Sequence, residues 1–259
     1  MKTTGALQRQ RLQGPLVSGM GEGQVQVRTE EMQRQTLRIY GELMARREIW
    51  AGRMVLACGA AVSATGLPAA VSIAGATALL LDPDAAVVKA VFRQGGVDFV
   101  VNTLNEALRV LKNEIRKGRP LSVVSEGEVA PAVAELRERG VLPDMQVVFR
   151  GVEDPAEGLG REVLELEGSA DAVQPSEGLQ RWLDQRGWSE VELAAATAAG
   201  LREVDARLLA ILPEGDKVRR AWVQRIARYQ RSAPGGARVM WLTQAERTAA
   251  GLPAAVGTD

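Results

Sequence analysis

Between Arg53 and Asp82 the chain carries no charged side chain. A stretch of that length must be buried along its whole extent, and few architectures allow it. From Arg53 to Asp84 the residues read as a buried strand, a tight turn opening at Gly59, a helix beginning at Gly66 or Pro68, and a second buried strand ending in an acid. That order is how a dinucleotide-binding βαβ unit opens. A membrane span is the competing reading. Gly59, Ser63, Thr65, Gly66, Pro68, Ser72, Gly75 and Thr77 interrupt any uniform apolar helix, however, and strands of a parallel sheet buried on both faces are just as apolar. No membrane association is expected.

The remainder alternates in the same way. An amphipathic helix is expected from near Thr29, with Glu30 and Glu31 in its first turn. Ala85–Arg93 reads as a helix stopped by Gly95 and Gly96, and Val97–Val101 as a short strand. Thr103 to Glu106 reads as a capping box that opens a helix ending near Gly118. Leu121–Val124 is the next strand, Ala132–Arg139 the next helix and Met145–Phe149 a further strand. Strands separated by helices of this length predict an α/β, Rossmann-like fold, a mainly parallel sheet flanked by helices, with additional helices at the C-terminal side.

Past Gly151 the pattern loosens. Val152 to Glu177 is acidic and broken by Gly and Pro, and Val163–Leu166 is either an edge strand or nothing. Leu179–Gln185 reads as a helix. Ser189 to Glu192 reads as a second capping box leading into a helix over Leu193–Ala199. Helices over Glu203–Ile211 and Lys217–Arg231, a strand over Ala237–Leu242 and a short helix over Gln244–Ala250 complete the reading. The expected organisation is a flexible tail over residues 1–23 and one domain over 24–259. Within that domain, 24–151 forms the βα core, 152–236 a variable acidic and helical segment, and 237–250 a returning strand and helix.

Composition limits the chemistry. Lys plus Arg equals Asp plus Glu, so no global field draws the chain toward nucleic acid. The absence of histidine removes Ser-His-Asp and Cys-His catalysis and every histidine-ligated metal site. The single cysteine, Cys58, excludes an intrachain disulfide and suits a reducing cytoplasm. It reads as a small core residue rather than a reactive thiol, because no positive charge lies near it in sequence.

At this level the residues resemble the urocanase (urocanate hydratase) family, in its Rossmann-like NAD-binding domain. The likeness runs from Val25 to Gly158 and resumes from Trp222 to Gly251. It rests on Val25-Gln26 ahead of a helix, Gly52-Arg-Met-Val-Leu into the turn, Gly66-Leu-Pro68 into Ala74-Gly75, and Val97-Asp98. Asn105 to Leu108, Gly118 to Ser122, Glu135-Leu136, Arg139 to Asp144 and Ala237 to Leu242 with Glu246-Arg247 continue it. The resemblance implies NAD as cofactor and a homodimer. Its cofactor residues carry over as Gly59, Ser63, Thr65, Gly66, Asp82, Gln26 and Gly127, with Asp84 matching a neighbouring acid.

The same carry-over exposes a conflict. Family glycines of the turn stand here as Ala61, Val62, Ala64 and Thr65, and each added Cβ sits where peptide N–H groups would cradle phosphate. Arg28 replaces a small hydroxyl residue, and Glu128 replaces an amide. Asp82 has the spacing of a ribose-binding carboxylate and equally that of a cap on the helix after Pro83. The family's catalytic Tyr, substrate-binding Arg and C-terminal Cys/His region have no counterpart, so no catalytic residue is assigned, no metal is expected, and urocanate hydration by this chain alone is not expected.

Three readings stay open: a non-catalytic assembly or ligand-sensing protein, a nucleotide-binding lyase- or oxidoreductase-like enzyme, and a subunit that completes a urocanase-type site with a partner chain. Trp182, Trp188, Trp222 and Trp241 crowd the C-terminal third and point to a large apolar contact, within or between chains. The Arg-rich segment Lys217–Arg231 reads as a solvated outer helix docked by Val218, Trp222, Ile226 and Tyr229, its arginines available to the acidic stretch 153–177.

Overall fold

The computed structural model describes residues 22–59, 61–151, 153–169, 172–229 and 236–252. Apolar runs after Arg53 form the centre of a seven-stranded sheet. Its strands are β1 (Met54–Cys58), β2 (Thr77–Asp82), β3 (Phe99–Val101), β4 (Leu121–Glu126), β5 (Met145–Phe149), β6 (Val163–Ser169) and β7 (Ala172–Gln174). They lie in the order β3-β4-β2-β1-β5-β6-β7. All pairings are parallel except β6 with β7.

Side chains alternate across this sheet, which accounts for the charge-free stretch. Val55, Ala57, Ala78 and Leu80 enter one buried cluster, while Met54, Leu56, Leu79 and Leu81 enter a second on the other face. The second cluster is closed by α4 (Leu104–Lys117) and α5 (Val129–Glu138), through Leu104, Ala107, Leu111, Val133 and Leu136. The first is closed by α1 (Glu22–Arg46) and α2 (Leu67–Ala74), with Val88 of α3 (Ala85–Arg93) joining it. No helix among the described residues is long and apolar enough to cross a membrane.

Several boundaries differ from the sequence reading. Glu22 already belongs to α1, so Gln26 lies inside the helix rather than ahead of it; residues 1–21 of the expected tail lie outside the described residues. Val163 begins a seven-residue strand between β5 and β7, interior to the sheet rather than at its edge. The helix expected after Ser189 is a strand, β8 (Ser189–Ala195). Ser-x-x-Glu imitates a capping box there, but Val191 and Leu193 point inward while Glu190 and Glu192 point outward, a period of two. Those two glutamates form a rack for Arg34, whose Nε and Nη2 reach them at 2.6 and 2.9 Å.

β8 pairs antiparallel with β9 (Gly236–Leu242), in a ribbon separate from the main sheet. α6 (Glu177–Asp184), α7 (Ala198–Ile211), α8 (Lys217–Ile226) and α9 (Gln244–Ala249) accompany the ribbon. Gln33 of α1 ties it down: its side-chain amide donates to Ala237 O at 2.8 Å, and its Oε1 accepts from Val239 N at 2.5 Å.

The tryptophans meet inside this one chain. Trp241 stacks with Tyr40 and Trp188 and meets Trp182 edge-on at 5.9 Å, while Tyr40 also stacks on Trp222 at 5.7 Å. The Trp222 indole N–H donates to Val239 O at 2.9 Å, satisfying the polar end of a buried ring. α1 passes over them at Gly41, where a Cβ would lie 2.6 Å from the Trp241 ring.

The Arg-rich helix is structural, and its partners are not those expected. α8 stops at Ile226, a single 3₁₀ turn covers Ala227–Tyr229, and residues 230–231 lie outside the described residues. Arg219 is buried and pairs with Asp216 at 2.6 Å and Glu246 at 2.8 Å, its guanidinium 4.4 Å from the centre of the Trp188 ring. Arg225 donates to Ile73 O, Arg220 to Leu209 O and Leu212 O, and Arg228 pairs with Asp98. These arginines bind across the fold, and the partners named are all outside the acidic stretch 153–177.

Candidate functional site

In a sheet of this kind ligands sit outside the carboxyl ends of the strands. The turn after β1 occupies that mouth. Gly59 leaves the strand with φ +131°, a conformation that favours glycine, and its N–H donates to Leu81 O at 3.0 Å. Ala61 is left-handed, with φ 63° and ψ 12°, the one non-glycine residue of positive φ among those described. Val62–Ala64 then form one 3₁₀ turn, and α2 follows with Pro68 in its first turn.

Asp82, at the end of β2, has no exposed surface. It does not face outward to a ribose, and Asp84 is the residue that caps α3, accepting from Ala86 N and Val87 N at 3.1 Å. The Asp82 carboxylate turns into the β1 turn instead. Oδ1 accepts from Ala61 N at 3.1 Å and Asp84 N at 3.0 Å; Oδ2 accepts from Ser63 N at 3.0 Å and the Ser63 hydroxyl at 2.7 Å. Backbone donors of the type that hold a phosphate are here spent on a side chain of the same protein.

The other sequence-selected residues fall into place around this contact. Thr65 donates its hydroxyl to Val62 O at 2.8 Å and accepts from Leu67 N at 3.2 Å, so it braces the turn from within. Gly66 serves helix packing: a Cβ there would lie 2.8 Å from the backbone of Thr36 on α1. Gly127 follows β4 with φ +139° and donates to Asp82 O at 3.4 Å. Gln26 lies ten residues ahead of Thr36 on α1, about 15 Å along the helix axis. The structure therefore brings Gly59, Ser63, Thr65, Gly66, Asp82 and Gly127 to one end of the sheet, with Ser63 and Thr65 bonded inward.

Cys58 lies nearby, at the end of β1. Burial, with a further push from Asp154, raises its thiol to about 12, far from the thiolate that nucleophilic chemistry needs. Beside the turn lies a cavity of about 300 Å³, reached from the ends of β2 and β4 and lined by Leu81, Asn102, Thr103, Glu126 and Glu128 among others. Its charged lining is carboxylate: Glu126, Glu128 and Glu135. Sequence reasoning passed over Asn102 and Glu126; the available signal was their position directly after β3 and at the last residue of β4. Among the described residues no group of three or more His, Cys, Asp or Glu could hold a metal ion.

These residues do not fit a dinucleotide pyrophosphate. The Ala61 and Ser63 amides and the Ser63 hydroxyl are taken, Asp82 contributes a buried negative charge where the phosphates' own charge would come, and the neighbouring cavity is acidic. The family nevertheless shows in the chain. The family model described as the urocanase Rossmann-like domain matches residues 34–175, more than half of the sequence. The chain belongs to the urocanase family. In this urocanase-family chain the match starts within α1 and ends just after β7, so it covers the whole seven-stranded sheet. The α6–α9 lobe and its ribbon lie beyond it.

Proposed function

We propose that this chain is a non-catalytic urocanase-family protein that works through assembly, as a cytoplasmic homodimer, rather than by hydrating urocanate. The observation that carries this reading is the engagement of the Asp82 carboxylate by Ala61, Ser63 and Asp84. A turn closed in this way offers no purchase for NAD, and family membership does not by itself bring activity. Self-association is supported by the β3 side of the sheet. There Phe92 of α3 and Phe99 of β3 are each 48% exposed, and among the described residues β3 has β4 as its sole strand neighbour.

A ligand-sensing role draws support from the cavity at the strand ends. Its Glu126, Glu128 and Asn102 suit an uncharged or cationic small molecule with hydrogen-bond donors, not a phosphate ester. The readings that keep a nucleotide-dependent enzyme, or a subunit completing a partner's urocanase-type site, require the turn to open.

Isothermal titration of NAD into the purified chain, with native mass spectrometry of the same sample, tests the proposal. A dimer without bound nucleotide and no heat up to millimolar NAD is the expected result. Micromolar NAD binding that is lost in Asp82→Ala would overturn it and restore the enzymatic reading.

A further inference from the structure

The Asp82 contact has the form of a ligand complex whose ligand is part of the chain. A carboxylate with no exposed surface carries its charge with no lysine or arginine within ion-pair distance among the described residues; backbone N–H groups and one hydroxyl satisfy it instead. Both oxygens take two donors each, which is the full demand of a buried carboxylate acting only as acceptor. The Ala61 and Ser63 N–H groups, on either side of a Val62 N–H that bonds to Gly59 O, converge on the anion from a turn with a left-handed residue and make an anion-binding concavity.

A second observation points the same way. Ala61 holds φ 63° without being glycine, a conformation that is uncomfortable for a residue with a Cβ. Such a residue persists where its surroundings over-determine it. At Ala61 the determinant is the bond from its own N–H to Asp82 Oδ1. Val62, the next residue, is buried in the core, so the turn cannot relax outward without exposing an apolar side chain.

We infer that the β1 turn is an oxyanion site permanently occupied by the Asp82 carboxylate, and that it accepts a free small oxyanion, of the formate or inorganic phosphate class, only when that carboxylate is removed. The attached carboxylate needs no translational freedom to reach the site, whereas a free anion must surrender its own. A free anion at ordinary concentration therefore cannot displace it. The inference builds on the non-catalytic reading but fails separately from it: NAD binding by the unaltered chain tests that reading, and anion rescue of a variant tests this one.

The experiment is thermal unfolding of the full chain and of Asp82→Ala, in sodium chloride and in sodium formate at matched ionic strength. Formate replaces the atoms that the substitution deletes. The unaltered chain should shift by less than about 1 °C between salts, while Asp82→Ala should melt roughly 5–10 °C lower in chloride and recover about half of that loss in formate. A variant indifferent to formate, or an unaltered chain that gains as much as the variant, overturns the inference. Should Asp82→Ala fail to fold, amide hydrogen exchange in the unaltered chain decides. The Ala61 and Ser63 N–H groups should exchange at least about 100-fold slower than an unstructured chain. Exchange at unstructured rates would mean that the carboxylate does not hold the turn.

Discussion

Asp82 at the mouth of the sheet and Arg219 in the C-terminal lobe are both buried charges, held by opposite means. Asp82 is satisfied by backbone amides and a hydroxyl from residues 61–84, without a countercharge among the described residues. Arg219 is satisfied by side chains: Asp216 beside it, Glu246 on α9 and the face of Trp188 after α6. The first arrangement depends mainly on a backbone path, with the Ser63 hydroxyl as its side-chain donor. The second depends on residue identity at three separated positions. Main-chain solvation of a charge is local and joins one turn to one strand, whereas ion pairing joins elements distant in sequence into a lobe.

Substitution should separate the two. The largest expected loss is at Arg219, where Arg219→Met leaves Asp216 and Glu246 facing each other in a poorly solvated site, at a cost of about 3–5 kcal/mol in urea unfolding. A loss under about 1 kcal/mol would mean that packing around Trp188, not charge, holds the lobe. Asp82→Ala should cost less, about 2–3 kcal/mol, because the donors left behind are neutral and their desolvation is cheaper than that of an orphaned charge. Equal losses would erase the distinction between the two modes.

That contrast also marks what could be read in the sequence. The β1–β5 frame was legible because a sheet covered on both faces writes itself as apolar runs separated by helical periods, and Ala85–Arg93 was bounded by an acid and a glycine pair. β8 was not. Ser189 and Glu192 have capping-box spacing, and only the alternation of Val191 and Leu193 against Glu190 and Glu192 argues for a strand. A true capping box, Thr243 with Glu246, lay unread, and its glutamate is also the partner of Arg219. Asp82 was found by spacing but not understood. A little over twenty residues past the glycine suits an acid that reaches a ribose and equally one that folds back into the turn. Ser63, a hydroxyl set among small apolar residues, was the available hint of the second.

Smaller effects refine the comparison. Gly66→Ala drives a Cβ against the Thr36 backbone and should cost about 1–3 kcal/mol by overpacking, without touching Asp82's bonds. Loss of amide protection at Ser63 in that variant would show that the turn and the α1–α2 contact are one unit.

Acid should attack the side-chain mode. Burial alone would raise the Glu246 carboxyl, but the bonds from Arg219 and Thr243 outweigh it and hold the group below its ordinary value. A depressed folded value stabilises above the unfolded one, and that contribution is lost as pH falls through the folded value, so it fades below about pH 4.5. Glu246→Gln should flatten this limb of a stability-against-pH curve measured by urea unfolding. An unchanged slope would assign the acid loss to other carboxylates, Asp144 foremost, which Arg53 and the Met54 N–H likewise hold down against burial. The smallest effect is a gain. Ala61→Gly relieves the left-handed alanine, and a rise of about 0.5–1 kcal/mol is expected after the cost of a freer unfolded chain.

Gln33 gives the lobe a property that stability measurements do not capture. A two-stranded ribbon has free hydrogen-bonding edges, and a free edge invites another strand. Along β9 the Gln33 amide answers Ala237 O and Val239 N, two residues apart, as the backbone of a third strand would. A helix side chain thus impersonates a neighbouring strand and ends the ribbon there. The two groups that would otherwise receive a further strand are answered by one buried amide, and Gln33→Leu would leave the fold's charges intact while orphaning the Ala237 carbonyl and the Val239 N–H beneath α1.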